Sequence, residues 1–215
     1  MPPENDESNR EERIGIVLLA AGASTRMGTP KQLLNLGGVS LIRRAAEQAL
    51  DSGCHPAVVV LGANADLIAP ELDDLAIQVA VNRDWKVGMS SSIRCGLKKL
   101  LTIDSQVQTV ILFLADQPNV TGIALRRLTT AHVQSGFGLV AASYSGRIGT
   151  PALFSRFYFN DILELEGQGG AKNLLERHAP CVLPIEFPEA ACDLDTPEDV
   201  AVFARAEEIG LHVRN

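Results

Sequence analysis

The chain has 215 residues, of which 46% are hydrophobic and 21% are charged. This balance is typical of a folded globular protein, and it excludes disorder throughout the chain. The formal net charge of −7 argues against general nucleic-acid binding, because the protein as a whole would repel a phosphate backbone.

Strand and helix patterns alternate along the first 135 residues. Apolar runs rich in β-branched residues predict strands at 14–19, 57–61, 77–81 and 110–114. Apolar residues at helical spacing predict helices at 41–50, 67–72, 91–101 and 121–135. Such alternation is typical of βαβ units, so we expect a mostly parallel sheet with helices on both faces.

The alternation loosens beyond Leu139. Strands are predicted at 139–143 and 182–187, and the sequence between them contains a Gly/Pro-rich stretch at 146–151 and a glycine cluster at 167–170. The fold class predicted from the whole pattern is a three-layer, doubly wound α/β fold of the Rossmann-like type.

The two ends of the chain differ in character. Residues 1–12 carry five carboxylates before the first apolar run, which predicts a disordered tail rather than a cationic signal peptide. The last helix is predicted from Pro197, because Thr196 is a favourable N-cap and two carboxylates follow in the first turn. We expect residues 13–215 to form a single domain.

The cysteines and the hydropathy of the chain indicate its cellular compartment. The four cysteines are far apart and show no spacing typical of a metal site, so we expect reduced thiols. No apolar stretch approaches the roughly 20 residues that a transmembrane helix needs. The sequence therefore predicts a soluble cytoplasmic protein that binds neither membranes nor nucleic acids.

A loop of small residues follows the first strand. In an open parallel sheet, ligands bind beyond the carboxyl ends of the strands. Residues 19–31 lack both the GxGxxG pattern of dinucleotide-binding folds and the GxxxxGK[ST] pattern of a P-loop. The small residues leave backbone amides accessible to an anion, and Arg26 and Lys31 add two positive charges. The pattern is compatible with a phosphate site and equally with a glycine turn that carries two solvated cations.

This loop is also the first of five segments that resemble one enzyme family. Residues 19–31, LAAGASTRMGTPK, match every fixed position of the LAAGxSxRMGxxK signature of nucleotidyltransferases that make molybdenum cofactor dinucleotides and related activated metabolites. The other four segments follow in the family's order: GMSSSIRCGL at 88–97, LADQP at 114–118, GTPALF at 149–154 and DLDTPED at 193–199. The resemblance spans residues 14 to about 202 and implies the fold of nucleotide-diphospho-sugar transferases.

The resemblance implies Mg²⁺-dependent nucleotidyl transfer. A phosphate oxygen of the acceptor would attack the α-phosphate of a nucleoside triphosphate and release pyrophosphate. The sequence Ala20-Ala21-Gly22 resembles the molybdenum cofactor cytidylyltransferase branch, which implies CTP as donor and the phosphate of molybdenum-carrying molybdopterin as acceptor. A molybdoenzyme could then receive the product.

The resemblance also implies roles for individual residues. Arg26, Lys31 and Asp116 are the expected catalytic residues, with both cations on the triphosphate and Lys31 nearest the α-phosphate. The backbone amides of the first loop would assist them. The expected nucleotide-binding residues are Leu19, Ala20, Ala21, Gly22, Ala23, Ser24, Arg26, Lys31, Gly88 and Ser92.

Carboxylates in two separate segments are the expected metal ligands. Two such groups suit a hard cation that keeps several waters. Asp116 is the first candidate, although an Asp here could instead only cap the turn before Pro118. Asp193 and Asp195 compete for the second position, since residues two apart in an extended segment point the same way. Asp193 resembles the family's ligand more closely.

Several alternatives stay open on the sequence. The segment GQGGAK at 167–172 departs from the family's GDxGA[R] at Gln168 and Lys172, which puts the second substrate in doubt. The acceptor could be a sugar phosphate or a methylerythritol phosphate, and the donor could be GTP. Ser92 could contact the base or merely begin a helix. A maturation protein that binds without transfer is a further possibility, whereas the missing GxGxxG disfavours a Rossmann-type dehydrogenase.

Overall fold

The computed structural model describes residues 12–25 and 27–208. Arg26 and all of the predicted tail except Glu12 therefore lie outside the described residues. Within the described ranges the strands are β1 (Ile14–Ala20), β2 (Asn35–Leu36), β3 (Val39–Ser40), β4 (Ala57–Leu61), β5 (Gln78–Val81), β6 (Thr109–Leu114), β7 (Leu139–Tyr144), β8 (Arg147–Ser155) and β9 (Leu183–Glu186). The α-helices there are α1 (Leu41–Asp51), α2 (Ala65–Ile68), α3 (Met89–Ile103), α4 (Gly122–Ser135), α5 (Phe159–Leu163), α6 (Gly170–Arg177) and α7 (Pro197–Glu208).

Seven of the strands form one sheet in the order β5-β4-β1-β6-β8-β7-β9. Strands β1, β4, β5 and β6 pair in parallel, and β7 pairs in parallel with β9. Strand β8 runs antiparallel to both of its neighbours, β6 and β7. The mostly parallel α/β sheet predicted from the sequence is confirmed, and it brings the carboxyl ends of β1 and β6 side by side.

Both faces of the sheet are buried. Successive strand residues point to opposite faces, and both sets of side chains are apolar. On β1, Ile16 and Leu18 pack into a cluster with residues of α1 and α4. Val17 and Leu19 face the other way and pack into a second cluster with residues of α3, α5 and α6. Strand β1 therefore contacts both layers of helices, and the loop at its end begins from a strand that is buried on both faces.

Helix α3 lies unusually close to the sheet at Gly96. A Cβ atom at this position would lie 2.3 Å from Val17 Cγ1 and 2.8 Å from Val60 Cγ2. Such distances leave no room for a side chain, so the glycine is needed for close packing of helix on sheet. This contact fixes the depth at which the first turn of α3 meets the carboxyl ends of the strands.

Two elements carry residues that the sequence pattern did not assign to regular structure. The Gly/Pro-rich stretch at 146–151 lies mostly in β8, where Gly149 and Pro151 interrupt the alternation that would have indicated a strand. The glycine cluster at 167–170 leads directly into α6. Both elements line a pocket at one edge of the sheet.

The last helix begins where the sequence predicts. The Thr196 Oγ1 atom accepts a hydrogen bond from the backbone N–H of Asp199 at 3.2 Å, and Asp199 Oδ2 accepts one from the backbone N–H of Thr196 at 2.8 Å. This reciprocal capping confirms the predicted helix start. No helix among the described residues has the length and apolar character that crossing a membrane requires.

Candidate active site

A pocket of about 710 Å³ opens at the carboxyl ends of β1 and β6. Strand β8, the start of α3 and the start of α6 supply the rest of its wall. Of the residues expected at the site, the pocket is lined by Leu19, Ala20, Ala21, Gly22, Ala23, Lys31, Gly88, Ser92, Asp116, Asp193 and Asp195. Ser24 is not among the lining residues, and Arg26 belongs to the part of the chain that is not described.

The loop after β1 is held in place by Gln32, whose side chain is 2% exposed. Its Nε2 donates to the backbone carbonyls of Ala20 at 2.9 Å and Gly22 at 2.8 Å. Its Oε1 accepts from the Ser24 hydroxyl at 3.2 Å, and the same hydroxyl accepts from the backbone N–H of Lys31 at 3.0 Å. Gln32 therefore ties the carbonyls of Ala20 and Gly22 to the segment that carries Lys31.

Gln32 is not among the site residues that the sequence predicts, although its hydrogen bonds shape the loop beside the pocket. The motif indicates its charged neighbour Lys31 instead. A signal was present, since Gln32 is an amide followed at once by apolar residues, and a buried amide of this kind needs several backbone partners.

Lys31 bridges two carboxylates inside the pocket. Its Nζ lies 2.7 Å from Asp116 Oδ2 and 2.9 Å from Asp195 Oδ1. Burial by itself would lower the pKa of Lys31, but the charges and hydrogen bonds of the two carboxylates outweigh it and raise the pKa above its usual value. The ammonium is therefore charged throughout the neutral range.

Asp193 stands next to this bridge in a different environment. Its Oδ2 lies 3.5 Å from Nη2 of Arg147, in an ion pair whose arginine side chain is 60% exposed and whose aspartate side chain is 34% exposed. Burial raises the pKa of Asp193 above its usual value, the nearby charge of Asp116 adds to the effect, and Gln117 and Arg147 oppose it. Two carboxylates thus repel each other across a partly buried space.

One oxygen of each of these two carboxylates has no partner. Asp116 Oδ1 and Asp193 Oδ1 are both buried without a hydrogen-bond donor within the described chain. Buried carboxylate oxygens are normally satisfied, so such a pair fits a hard cation that completes its shell with water and phosphate oxygens. Among the described residues no cluster of three or more His, Cys, Asp or Glu side chains has the geometry to enclose a metal.

Gln117 joins the segments that carry the acidic groups. Its side chain is 1% exposed, and its Nε2 donates to the backbone carbonyls of Thr150 at 3.3 Å and Ala190 at 3.1 Å. The backbone N–H of Leu194 donates to the carbonyl of Asp116 at 3.0 Å. These contacts place the segment around Asp193 beside Asp116, which sequence spacing alone did not show.

The start of α3 forms the opposite wall. Gly88 has φ +129°, and a Cβ there would lie 2.7 Å from the carbonyl oxygen of Gly167, so the position requires glycine. Gln168 Nε2 donates to the carbonyl of Val87 at 3.1 Å. Gln168 and Lys172, the two departures from the family pattern, both line the pocket.

Comparison with known proteins decides the family. Residues 16–181 match the family described as a MobA-like NTP transferase domain. The chain belongs to this family. The match to the MobA-like NTP transferase domain begins within β1 and ends four residues after α6, so it includes the loop after β1 and Asp116. Asp193 and Asp195 lie beyond its last matched residue.

Two solved structures and one curated protein that are similar to this chain carry different names. The structure of a homologue of Mycobacterium tuberculosis Rv0371c from Mycobacterium sp. strain JC1 is 31% identical, covers 93% of this chain and 98% of its own, and has a TM-score of 0.80. The complex of Rv0371c from M. tuberculosis H37Rv with manganese is 25% identical, covers 90% and 99%, and has a TM-score of 0.74. Nicotine blue oxidoreductase of Paenarthrobacter nicotinovorans is 39% identical over 54% of this chain and 55% of its own length. This chain thus spans about half the length of that curated relative.

Proposed function

We propose that this MobA-like NTP transferase moves CMP from CTP to a phosphorylated acceptor and releases pyrophosphate, with Mg²⁺ as its metal. The acceptor that we propose is the phosphate of molybdopterin carrying molybdenum, and a molybdoenzyme would receive the product. The observation that supports transfer is the position of Lys31, a charged ammonium shared by Asp116 and Asp195 inside the pocket.

The Lys31 ammonium is suited to stabilise the negative charge that develops on the α-phosphate oxygens. Its ammonium exchanges carboxylate partners for phosphate oxygens when a triphosphate enters the pocket, so the charge is desolvated and ready before the reaction. The loop held by Gln32 offers small residues that let phosphate oxygens approach the backbone amides of Ala21, Gly22 and Ala23. Arg26 is proposed as a second cation on the triphosphate.

Asp116 and Asp193 are the proposed metal ligands. Each presents a buried oxygen without a partner, whereas Asp195 gives an oxygen to Lys31. Bound Mg²⁺ would neutralise charge on the triphosphate. The manganese complex of a relative that is 25% identical supports a divalent cation in this fold.

The wall formed by β8 and α6 is the proposed acceptor side. Arg147 and Lys172 line it, and their side chains are 60% and 71% exposed, so both cations can meet a phosphorylated molecule without a large desolvation penalty. The donor base is proposed to bind at the opposite wall, near Gly88 and Ser92. The choice of CTP rests on the Ala20-Ala21-Gly22 sequence of the loop.

The deciding experiment combines a donor panel with an acceptor panel. CTP, GTP, ATP and UTP are each incubated with Mg²⁺ and with molybdenum-carrying molybdopterin, a hexose phosphate or methylerythritol phosphate, and nucleotide transfer and pyrophosphate are measured. We expect CMP transfer to molybdopterin. Transfer to a sugar phosphate, or a preference for GTP, would replace that acceptor or donor. Absence of pyrophosphate with every pair would contradict transfer.

A second candidate is a protein that binds nucleotide or molybdenum cofactor without transfer. The observation that favours it is Gln168, which stands in the pocket where the family has a carboxylate and donates to the carbonyl of Val87 instead. In the same panel, tight binding of CTP without pyrophosphate release would support this candidate.

A further inference from the structure

A buried amide beside the proposed base site has all of its hydrogen bonds fixed. Asn82 follows β5 and is 5% exposed. Its Oδ1 accepts from the backbone N–H of Asp84 at 3.0 Å, while its Nδ2 donates to Ser91 Oγ at 2.8 Å and to Ser92 Oγ at 3.0 Å. Because a backbone N–H can only donate, it determines which end of the amide faces it, and the Nδ2 end therefore faces both serines.

The hydroxyl protons of the two serines that accept from Asn82 have different partners. The Ser91 hydroxyl donates to the carbonyl oxygen of Gly88 at 2.8 Å, with that of Asp84 at 3.0 Å as a second acceptor. For the Ser92 hydroxyl, by contrast, no residue in the described ranges accepts its proton. Ser92 is 4% exposed and lines the pocket. Its hydroxyl proton is therefore available to a ligand.

We propose that Asn82 is a positioning residue that makes Ser92 a hydrogen-bond donor toward the nucleotide base. This inference rests on the proposed function, since it places a nucleoside triphosphate in the pocket. A donor on the protein requires an acceptor on the base, either a ring carbonyl oxygen or an unprotonated ring nitrogen, and cytosine offers both. The contact is remote from the reacting phosphate, so it determines nucleotide affinity rather than the rate of transfer.

The test reverses the polarity of Asn82 without changing its shape. In Asn82→Asp, a carboxylate oxygen faces the serines, so Ser92 donates to it and its proton turns away from the pocket. We expect the Kd of CTP with Mg²⁺, measured by calorimetry, to rise about tenfold. The Kd of inorganic tripolyphosphate with Mg²⁺ should change much less, because this ligand has no base and responds only to the added charge. Asn160→Asp, at an exposed position of α5, adds the same charge elsewhere and should leave both values unchanged.

A double-mutant cycle separates this role from a structural one. Ser92→Ala removes the donor itself and should give the same tenfold loss of CTP affinity without a change for tripolyphosphate. The double variant should lose no more than either single variant. Ser92→Ala also keeps the test decisive if Asn82→Asp fails to fold, which its unfolding temperature would reveal.

Specific outcomes would overturn the inference. They are normal CTP binding in both variants, an equal loss of CTP and tripolyphosphate, or losses that add in the double variant. CMP transfer is measured separately: a wild-type protein that binds a nucleoside triphosphate but transfers nothing contradicts the proposed function, and the cycle is then run with the nucleotide that it binds most tightly. A wild-type protein that binds no nucleotide more tightly than tripolyphosphate contradicts the inference itself.

Discussion

Lys31 lies between two carboxylates, and its charge is the feature on which the proposed chemistry depends. The Nζ contacts of 2.7 Å and 2.9 Å hold the ammonium in one place, and the raised pKa keeps it charged. A phosphate that enters the pocket competes with Asp116 and Asp195 for this charge. A divalent cation on Asp116 and Asp193 would favour the exchange, because it draws negative charge away from Lys31.

Asp116 is the residue whose loss should affect turnover most directly. Asp116→Asn keeps the shape of the side chain but removes the carboxylate that is proposed to bind Mg²⁺, so we expect kcat to fall by about 100-fold or more. The unfolding temperature should change little, because Lys31 retains Asp195. Asp66→Asn, on the exposed side of α2, is the matched control. An Asp116→Asn protein with the wild-type rate would contradict the assignment.

Asp193 should make stability depend on pH in an unusual direction. Its pKa is raised above 3.8 in the folded state, so the stability that it contributes is present below that value and is lost as the pH rises through the raised pKa. Asp193→Asn should therefore raise the unfolding temperature at pH 7, and this gain should shrink as the pH falls toward about 4. The ion pair with Arg147 offsets little of the gain, because the arginine side chain is largely exposed.

The same variant tests the metal assignment without an activity assay. Mn²⁺ should raise the unfolding temperature of the wild-type protein and have little effect on Asp193→Asn, because the variant lacks one proposed ligand. Equal stabilisation of both proteins by Mn²⁺ would exclude Asp193 as a ligand.

At the scale of single elements, α3 is positioned by its packing on the sheet. Gly96→Ala places a Cβ within 2.3 Å of Val17 Cγ1, so strands and helix have to separate. We expect a loss of about 1–3 kcal/mol in the free energy of unfolding, measured in urea. Gly22→Ala is the stability control, because a Cβ there meets no atom within 4 Å. Equal stability of the two variants would contradict the packing argument.

The hairpin of β7 and β8 is the element proposed to receive the acceptor. The Arg147 guanidinium lies 5.0 Å from the centre of the Tyr144 ring and pairs with Asp193, so it faces the pocket. Arg147→Met should raise the KM of the phosphorylated acceptor about tenfold or more and leave the KM of CTP unchanged. Arg177→Met removes an exposed arginine of α6 outside the pocket and should change neither constant. A rise in the KM of CTP alone would contradict this role and indicate that Arg147 contacts the nucleotide.

At the scale of the whole molecule, nucleotide binding should stabilise the fold. A ligand present at about 100 times its Kd adds roughly 2.7 kcal/mol, which corresponds to about 5–10 °C in the unfolding temperature for a chain of this length. We expect this shift with CTP and Mg²⁺ together and a smaller one with either alone, measured by thermal denaturation against GTP, ATP and UTP. A larger shift with GTP would be consistent with the family but would identify GTP, not CTP, as the donor.

The parallel half of the fold follows from patterns that the chain carries locally. Runs such as 57–61 and 110–114 are apolar and β-branched because they are buried on both faces, and helices separate them at regular intervals. Strand β8 was not predicted, because an antiparallel strand containing Gly149 and Pro151 shows neither a continuous apolar run nor clear alternation. Helix α6 was hidden for a similar reason, since it begins within a glycine cluster.

Short motifs such as LAAGASTRMGTPK encode local backbone conformation and charge, so the amino-acid sequence alone indicates the family, the order of the first elements and the residue types at the candidate site. Which side chains meet follows only from the packing of the folded chain. This packing paired Lys31 with Asp116 and Asp195, brought Asp193 beside Asp116 through Gln117, and oriented Ser92 through Asn82. These contacts join residues that are up to 164 positions apart. Such pairing depends on how the sheet and its helices pack, which no local pattern specifies.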